Sequence, residues 1–242
     1  MNIDSQAAAQ APESYGRYYA SRSTDRDDLL FNREVLFQAF AFEKANTRAL
    51  QAISVDRESS RVLDVGCGSG AGLLGFVRWG FPARNLTGID LDGSRIERAR
   101  ELLPAASLVV GSADEMQFDS GSFDLVFEST IFLQMTDEDM AGRIAKEMLR
   151  VVRPGGHIVI CDWRYGKPGN PDFRAVNRTR IASLFGVGSA TDLVRVERGA
   201  LIPPIGRFLS RSMPALYFAA QTVAPFLAGQ TTTVLRSRKS VG

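Results

Sequence analysis

The sequence predicts a doubly wound α/β fold, a mostly parallel sheet with helices on both faces. Three observations carry that expectation. Short apolar runs alternate with single helix-length segments, and strands joined by one helix pair in parallel through right-handed crossovers. The first run, "RVLDV", opens into a turn dense in glycine, Gly66, Gly68, Gly70, Gly72 and Gly75. The chain has 242 residues, 45% hydrophobic and 23% charged, enough for one sizeable globular domain.

Taken in order, residues 1–14 are rich in Ala, Gln and Ser and are expected to be disordered, and residues 15–242 to form a single domain. Arg33 to Ile53 carries Phe37, Phe40, Ala41, Ala45, Ala49 and Ile53 in near-helical register. After "RVLDV" and the glycine turn, a helix runs from Ala71 toward Gly80, with Pro82 beyond it. "LTGID" is a second strand. The helix "DGSRIERARELLP" opens on Asp92 and stops before Pro104. "SLVVG" and "FDLVFES" are the third and fourth strands. "TDEDMAGRIAKEMLRVV" is a helix whose Thr136 and Asp139 resemble a capping box. "RPGG" then reads as a turn and "HIVICDW" as the fifth strand. Next comes a helix over "NPDFRAVNRTRIASLFG", with Pro171 in its first turn. "DLVRVERGALI" and "TTTVLRSRK" alternate as strands. The Pro-interrupted apolar stretch between them reads first as a helix packed on the sheet. It also suits an acceptor pocket or a patch touching membrane.

Bulk properties exclude several functions. The net charge of +2 gives no footprint for nucleic acid. Cys67 and Cys161 lack CxxC partners and His157 is the one histidine, so no Cys/His metal site is expected. No apolar run reaches the ~20 residues of a membrane span. The first residues lack a basic and apolar signal pattern, so a cytoplasmic protein is expected.

The turn "GCGSGA", Gly66 to Ala71, satisfies the dinucleotide pattern G-x-G-x-x-G/A, and Asp90 follows at a spacing suited to a ribose-binding acid. A nicotinamide oxidoreductase is therefore one reading. It lacks support from a Tyr-x-x-x-Lys pair, which the sequence does not contain. A non-catalytic cofactor-binding protein is another.

Four segments in order, "DVGCGSG", "GIDLDGSRIERAR", "GSADEMQFDSGSFDLVFEST" and "MLRVVRPGGHIVICDWR", resemble the class I S-adenosylmethionine-dependent methyltransferases, in particular the bacterial small-molecule type. The resemblance implies a Rossmann-like sheet of seven strands, mostly parallel with an antiparallel last strand. It also implies S-adenosylmethionine as cofactor, S-adenosylhomocysteine as product, and a small-molecule acceptor such as a natural product, sugar or lipid-like glycan.

Residue by residue, the resemblance places Gly66, Cys67, Gly68 and Gly70 against the methionine portion, where bare backbone permits close approach. Asp64 steadies that loop. Asp90 accepts from both ribose hydroxyls, with Leu91 beside it. Family members often carry an acid at the position of Ser112 for the adenine amino group. Here Ser112, Ala113 or a displaced Asp114 must serve. Tyr18, Tyr19 and Arg22 in "YGRYYASR" resemble an aromatic N-terminal lid, and a cap is expected around residues 165–230. Glu128 could contact the methionine moiety or the acceptor. Glu128, Asp162 and Tyr165 are the candidates for a catalytic base. His157, at the start of its strand, is expected to be structural. Asp124 is expected to be a structural residue at a strand start.

Overall fold

The structure is a computed structural model and describes residues 29–167 and 169–238. The expected disordered start and the lid residues Tyr18, Tyr19 and Arg22 lie outside the described residues.

The chain runs α1 (Arg33–Gln51), β1 (Val62–Val65), α2 (Ala71–Arg78), β2 (Leu86–Asp90), α3 (Gly93–Leu102), β3 (Ser107–Val110), β4 (Phe123–Ser129), α4 (Ile131–Gln134), α5 (Glu138–Val151), β5 (Val152–Trp163), α6 (Arg178–Phe185), β6 (Thr191–Arg198), α7 (Pro203–Ser212), α8 (Tyr217–Val223) and β7 (Gln230–Ser237). The seven strands form one sheet in the order β3-β2-β1-β4-β5-β7-β6. Pairing is parallel from β3 to β5, and β7 is antiparallel to both β5 and β6. The antiparallel last strand is thus wedged between two strands that point the other way.

Alternation within the strands divides the core into two layers. Leu63, Val65, Val126, Ile158 and Ile160 pack with α5 and α6 on one face. Val62, Leu125, Phe127, Val159 and Cys161 pack with Leu73, Phe76, Ile96 and Ala99 of α2 and α3 on the other. Helix starts follow local chemistry. The Asn32 side chain accepts from the Glu34 and Val35 N–H groups, and Asp92 does the same for Ser94 and Arg95.

Three sequence expectations are corrected. Helix α5 is capped by Asp137, whose carboxylate accepts from the Asp139 and Met140 N–H groups, so Thr136 lies outside it. "RPGG" is not a separate turn: Val152 pairs with Phe123 and His157 with Leu125, so the segment bulges within β5 opposite Asp124, with Gly155 at φ +69°. Asp124 accepts from the Arg61 N–H at 2.7 Å and pairs with Arg153, which ties that bulge down. The helix after β5 starts only at Arg178, capped by Asn177, so Pro171 is outside it. Arg174 and Val176 instead donate to Leu133 and Trp163 carbonyls, which holds this stretch extended against the sheet end.

β6 is parallel and β7 antiparallel to the main strands, so the helices between them sit at the same sheet edge as the carboxyl ends of β1, β2 and β4. This cap packs on α1 through Phe37, Ala41, Leu209 and a fully buried Tyr217. The Leu201 N–H donates to the Tyr217 hydroxyl at 3.3 Å, and Gln221 donates to the Gly199 carbonyl at 2.6 Å. Among the described residues, no helix is long and apolar enough to cross a membrane, and no cluster of His, Cys, Asp and Glu is placed to hold a metal.

Candidate active site

The glycine turn leaves β1 with Gly66, Gly68 and Gly70 at φ +64°, +52° and +86°, the left-handed region that side chains resist. Much of its bareness serves the protein's own packing. A Cβ on Gly66 would lie 2.7 Å from Ile131 Cδ1, one on Gly70 would lie 3.3 Å from Ala99 Cβ, and one on Gly72 would meet the Asp64 carboxylate at 2.5 Å. Gly68 is similar: a Cβ there would strike the Arg95 guanidinium, and its N–H donates to Asp90 Oδ2 at 2.8 Å.

Above this turn opens a cleft, open to solvent. Gly66, Asp90, Leu91 and Arg95 line one side, Ser112 and Ala113 a second. Thr130, Ile131, Gln134, Met135, Met140 and Ile144 form a third wall, largely apolar.

Asp90 is buried at the end of β2. Besides Gly68, it accepts from the Asp92 N–H at 2.9 Å. Asp64 is buried, and burial followed by the nearby Asp90 charge holds its pKa well above the usual carboxylate range. Cys67 points into the core: a Cβ on Gly88 would meet its sulfur at 2.6 Å, and burial pushes its thiol pKa up. Cys67 and Asp64 therefore support the turn from behind; neither they nor Gly68 and Gly70 are among the residues lining the cleft, which the turn reaches through Gly66. Ser112 donates to Asp114, which also pairs with Arg143 at 3.1 Å. Burial works to raise the Asp114 pKa, but these two partners outweigh it and lower it. Asp114 is occupied outside the lining, whereas Ser112 and Ala113 face the cleft.

The three sequence candidates for a base lie elsewhere. Glu128 and Asp162 are 0% and 1% exposed, behind α4. Glu128 Oε2 accepts from the Ile131 N–H at 3.1 Å, and Asp162 from Leu133 and Trp163 N–H groups at 2.9 and 2.7 Å. Thr130, which precedes α4, gives no side-chain cap, so these two carboxylates satisfy the helix's first N–H groups. Burial raises both pKa values, Asp162 to about 7, and the proximity of Asp162 raises Glu128 further. Arg180, itself buried, donates to the Phe132 and Met135 carbonyls, both at 2.7 Å, and pins the same helix. Tyr165 is 46% exposed and donates to the Phe226 carbonyl at 3.0 Å, on the cap. His157 pairs with Leu125 and Arg236, well below the strand ends, and burial, then Arg236 and Arg153, lower its pKa.

The sequence reading missed the wall built by α4. Thr130 has φ +65°, the non-glycine residue in the left-handed region among those described. That costs roughly 1–2 kcal/mol. Its N–H donates to the Cys161 carbonyl and its hydroxyl to that of Ser129, which fix the bend. Gln134 faces the cleft with a buried Oε1 that has no hydrogen-bond partner in the structure. Nothing in "STIFLQM" signals this, because a four-residue helix has too little periodicity to read.

Comparisons with known proteins fit this geometry. A family model described as a methyltransferase domain matches residues 62–156. The chain is 41% identical over 106 residues to a 2-methyl-6-phytyl-1,4-hydroquinone methyltransferase of Synechocystis sp., covering 42% of this chain and 31% of that one. It is 30% identical over 180 residues to a phthiotriol/phenolphthiotriol dimycocerosates methyltransferase of Mycobacterium ulcerans, covering 67% and 63%. The chain thus spans less than two thirds of the length of either relative. The fold matches a putative methyltransferase solved in complex with the Haloferax volcanii Trm112 activator, with a TM-score of 0.61, 19% identity and coverage of 90% and 99%. Matched segment, sheet and cleft agree: residues 62–156 match a methyltransferase domain, and they support a class I S-adenosylmethionine-dependent methyltransferase.

Proposed function

We propose that the protein transfers a methyl group from S-adenosylmethionine to a small, lipid-like acceptor. One observation carries this reading: Asp90, at the end of β2, joins the bare Gly68 turn to a cleft whose far wall is apolar. The cofactor supplies an electrophilic methyl group on a sulfonium. Asp90 would accept from the two ribose hydroxyls. Gly68 would let the methionine portion lie on the backbone. Ser112 and Ala113 would meet the adenine edge, with Leu91 and Ile131 against its faces. Asp64 holds the turn from behind.

Among the described residues, no carboxylate besides Asp90 lines the cleft. Glu128 and Asp162 position α4, and Tyr165 anchors the cap. Rate enhancement is therefore assigned to in-line positioning of the acceptor, not to a dedicated base. The apolar residues Met135, Met140 and Ile144 favour an acceptor with an apolar body. The two relatives are named for a phytyl-substituted hydroquinone and for phthiotriol dimycocerosates, and the acceptor class is taken from both arguments. The buried, unpaired thiols Cys67 and Cys161 suit a reducing compartment, and we place the activity in the cytoplasm.

The nicotinamide reading fits less well. The dinucleotide fold orders its strands 3-2-1-4-5-6, whereas here antiparallel β7 separates β5 from β6. The test is label transfer from methyl-labelled S-adenosylmethionine to a panel of prenylated hydroquinones and sugars. Labelled hydroquinone is expected. Label on sugars alone would overturn the acceptor class. No label on any acceptor, with S-adenosylhomocysteine still bound, would favour a non-catalytic binding protein.

A further inference from the structure

We propose that the cap docks on an anionic lipid surface through the outward faces of α7, α8 and the turn that follows. The inward face of α7, Ile205, Gly206 and Leu209, packs on α1 and Tyr217. Its outward face carries Phe208, 57% exposed, flanked by Arg207 and Arg211. Val223 at the end of α8 is 84% exposed, and Phe226 in the next turn 67%. Met213 and Leu216, between Phe208 and Val223 in the chain, are 43% and 45% exposed, so consecutive elements of the one cap each expose an apolar side chain, where isolated ones would be ordinary.

Charge selects the partner. From Gly199 to Gln230 the sequence contains no Asp or Glu, and its only charged residues are Arg207 and Arg211. Arg207 reaches Glu34 only at 3.9 Å. Arg211 has no acid within ion-pair distance among the described residues. Aromatic and aliphatic side chains flanked by arginines on an amphipathic helix suit the interface of a bilayer containing anionic headgroups. The patch is built to stay out: Arg164 donates to the Pro225 and Phe226 carbonyls at 2.9 and 2.7 Å, which fixes the turn carrying Phe226.

The position gives this surface a use. The cap occupies the sheet edge onto which the cleft opens, so docking would bring the cleft mouth toward the bilayer. Lipid binding itself does not rest on the methyl-transfer reading, because it is measured without cofactor or acceptor.

The experiment is co-sedimentation of the full chain with phosphatidylcholine vesicles, with and without phosphatidylglycerol. Binding is expected only when phosphatidylglycerol is present, and it should weaken as salt rises. Phe208→Ser with Phe226→Ser should reduce partitioning on the order of tenfold per aromatic removed. Arg211→Gln should reduce it about fivefold. All three side chains are exposed, and circular dichroism checks that the variants fold. Absence of wild-type binding, or full binding by the double aromatic variant, would overturn the proposal. So would a wild-type dimer that the aromatic variant dissociates while neither form binds vesicles, since the patch would then be a subunit interface.

Discussion

The two halves of the sheet edge are built on different principles. Over β1, β2 and β4 the backbone does the work: left-handed glycines, a buried carboxylate bonded to a turn N–H, and a short helix held by two more carboxylates. Over β5, β7 and β6 side chains do it: a cap seated by Tyr217, Leu209 and Phe37 that leaves aromatic residues facing outward. The first half coincides with the family match at residues 62–156, and the cap lies beyond it. A ligand that must touch main chain restricts residue type strongly. An apolar surface accepts many sequences.

If the halves are this distinct, substitutions in each should have separable effects. The largest belongs to Gly68→Val. A β-branched residue at φ +52° is strained, and its side chain would strike Arg95, which lines the cleft. Affinity for S-adenosylhomocysteine should fall by about a thousandfold, more than 4 kcal/mol, with the fold retained by circular dichroism. Unchanged affinity by calorimetry would mean that the turn does not contact the ligand.

Arg180→Leu comes next. It leaves the Phe132 and Met135 carbonyls without this donor and the Glu138 carboxylate, 2.8 Å away, with Arg174 alone. Breaking a buried charged network of this kind costs about 3–5 kcal/mol, readable as a lower urea midpoint. A loss under 1 kcal/mol would show that α4 stands without this anchor.

A smaller effect is expected from pH. Glu128 and Asp162 bind protons more tightly folded than unfolded, because burial raises their pKa values. Between their unfolded values near 4 and the folded value of about 7 for Asp162, the folded state holds the extra protons. Stability from these groups is therefore greatest below pH 4 and is lost as pH rises to 7. Urea midpoints across that window should decline, and Glu128→Gln should flatten the decline. A midpoint that rises equally in both proteins would contradict the assignment.

The smallest effects are expected away from the cleft. His157→Gln should leave the pH–rate profile in place with a stability change within about 1 kcal/mol. A collapse of turnover without unfolding would bring His157 into the chemistry. Val223→Ser, on the cap, should leave S-adenosylhomocysteine affinity within about twofold, the scale of a surface change.

The same contrast explains how much could be read from the residues alone. β1 through β3 stood out because each apolar run ends at a Gly or Asp with a physical duty, and Asp90 and Gly68 fall together as expected. Ser112 and Ala113 face the cleft while Asp114 turns to Arg143, a choice the sequence left open because it hangs on a partner 29 positions away. Glu128 and Asp162 looked like cleft acids because they end strands. Their burial depends on α4, whose four residues give no periodic signal. The "RPGG" bulge and the extended stretch after Pro171 follow from pairing with β4 and with the sheet end. Local turn and helix propensities do not contain that information.

The most direct measurement of the cofactor assignment is calorimetry of wild type and Asp90→Ala against both S-adenosylhomocysteine and NAD. The substitution removes two charge-assisted hydrogen bonds to the ribose, each worth roughly 1.5–3 kcal/mol. It also removes the acceptor for Gly68 and Asp92, so Asp90→Asn, which keeps one acceptor oxygen, should lose less. Wild type should bind S-adenosylhomocysteine, Asp90→Ala should bind it at least a hundredfold more weakly, and neither should bind NAD measurably. Tight NAD binding by wild type, abolished in Asp90→Ala, would contradict the assignment and restore the dinucleotide reading of the glycine turn.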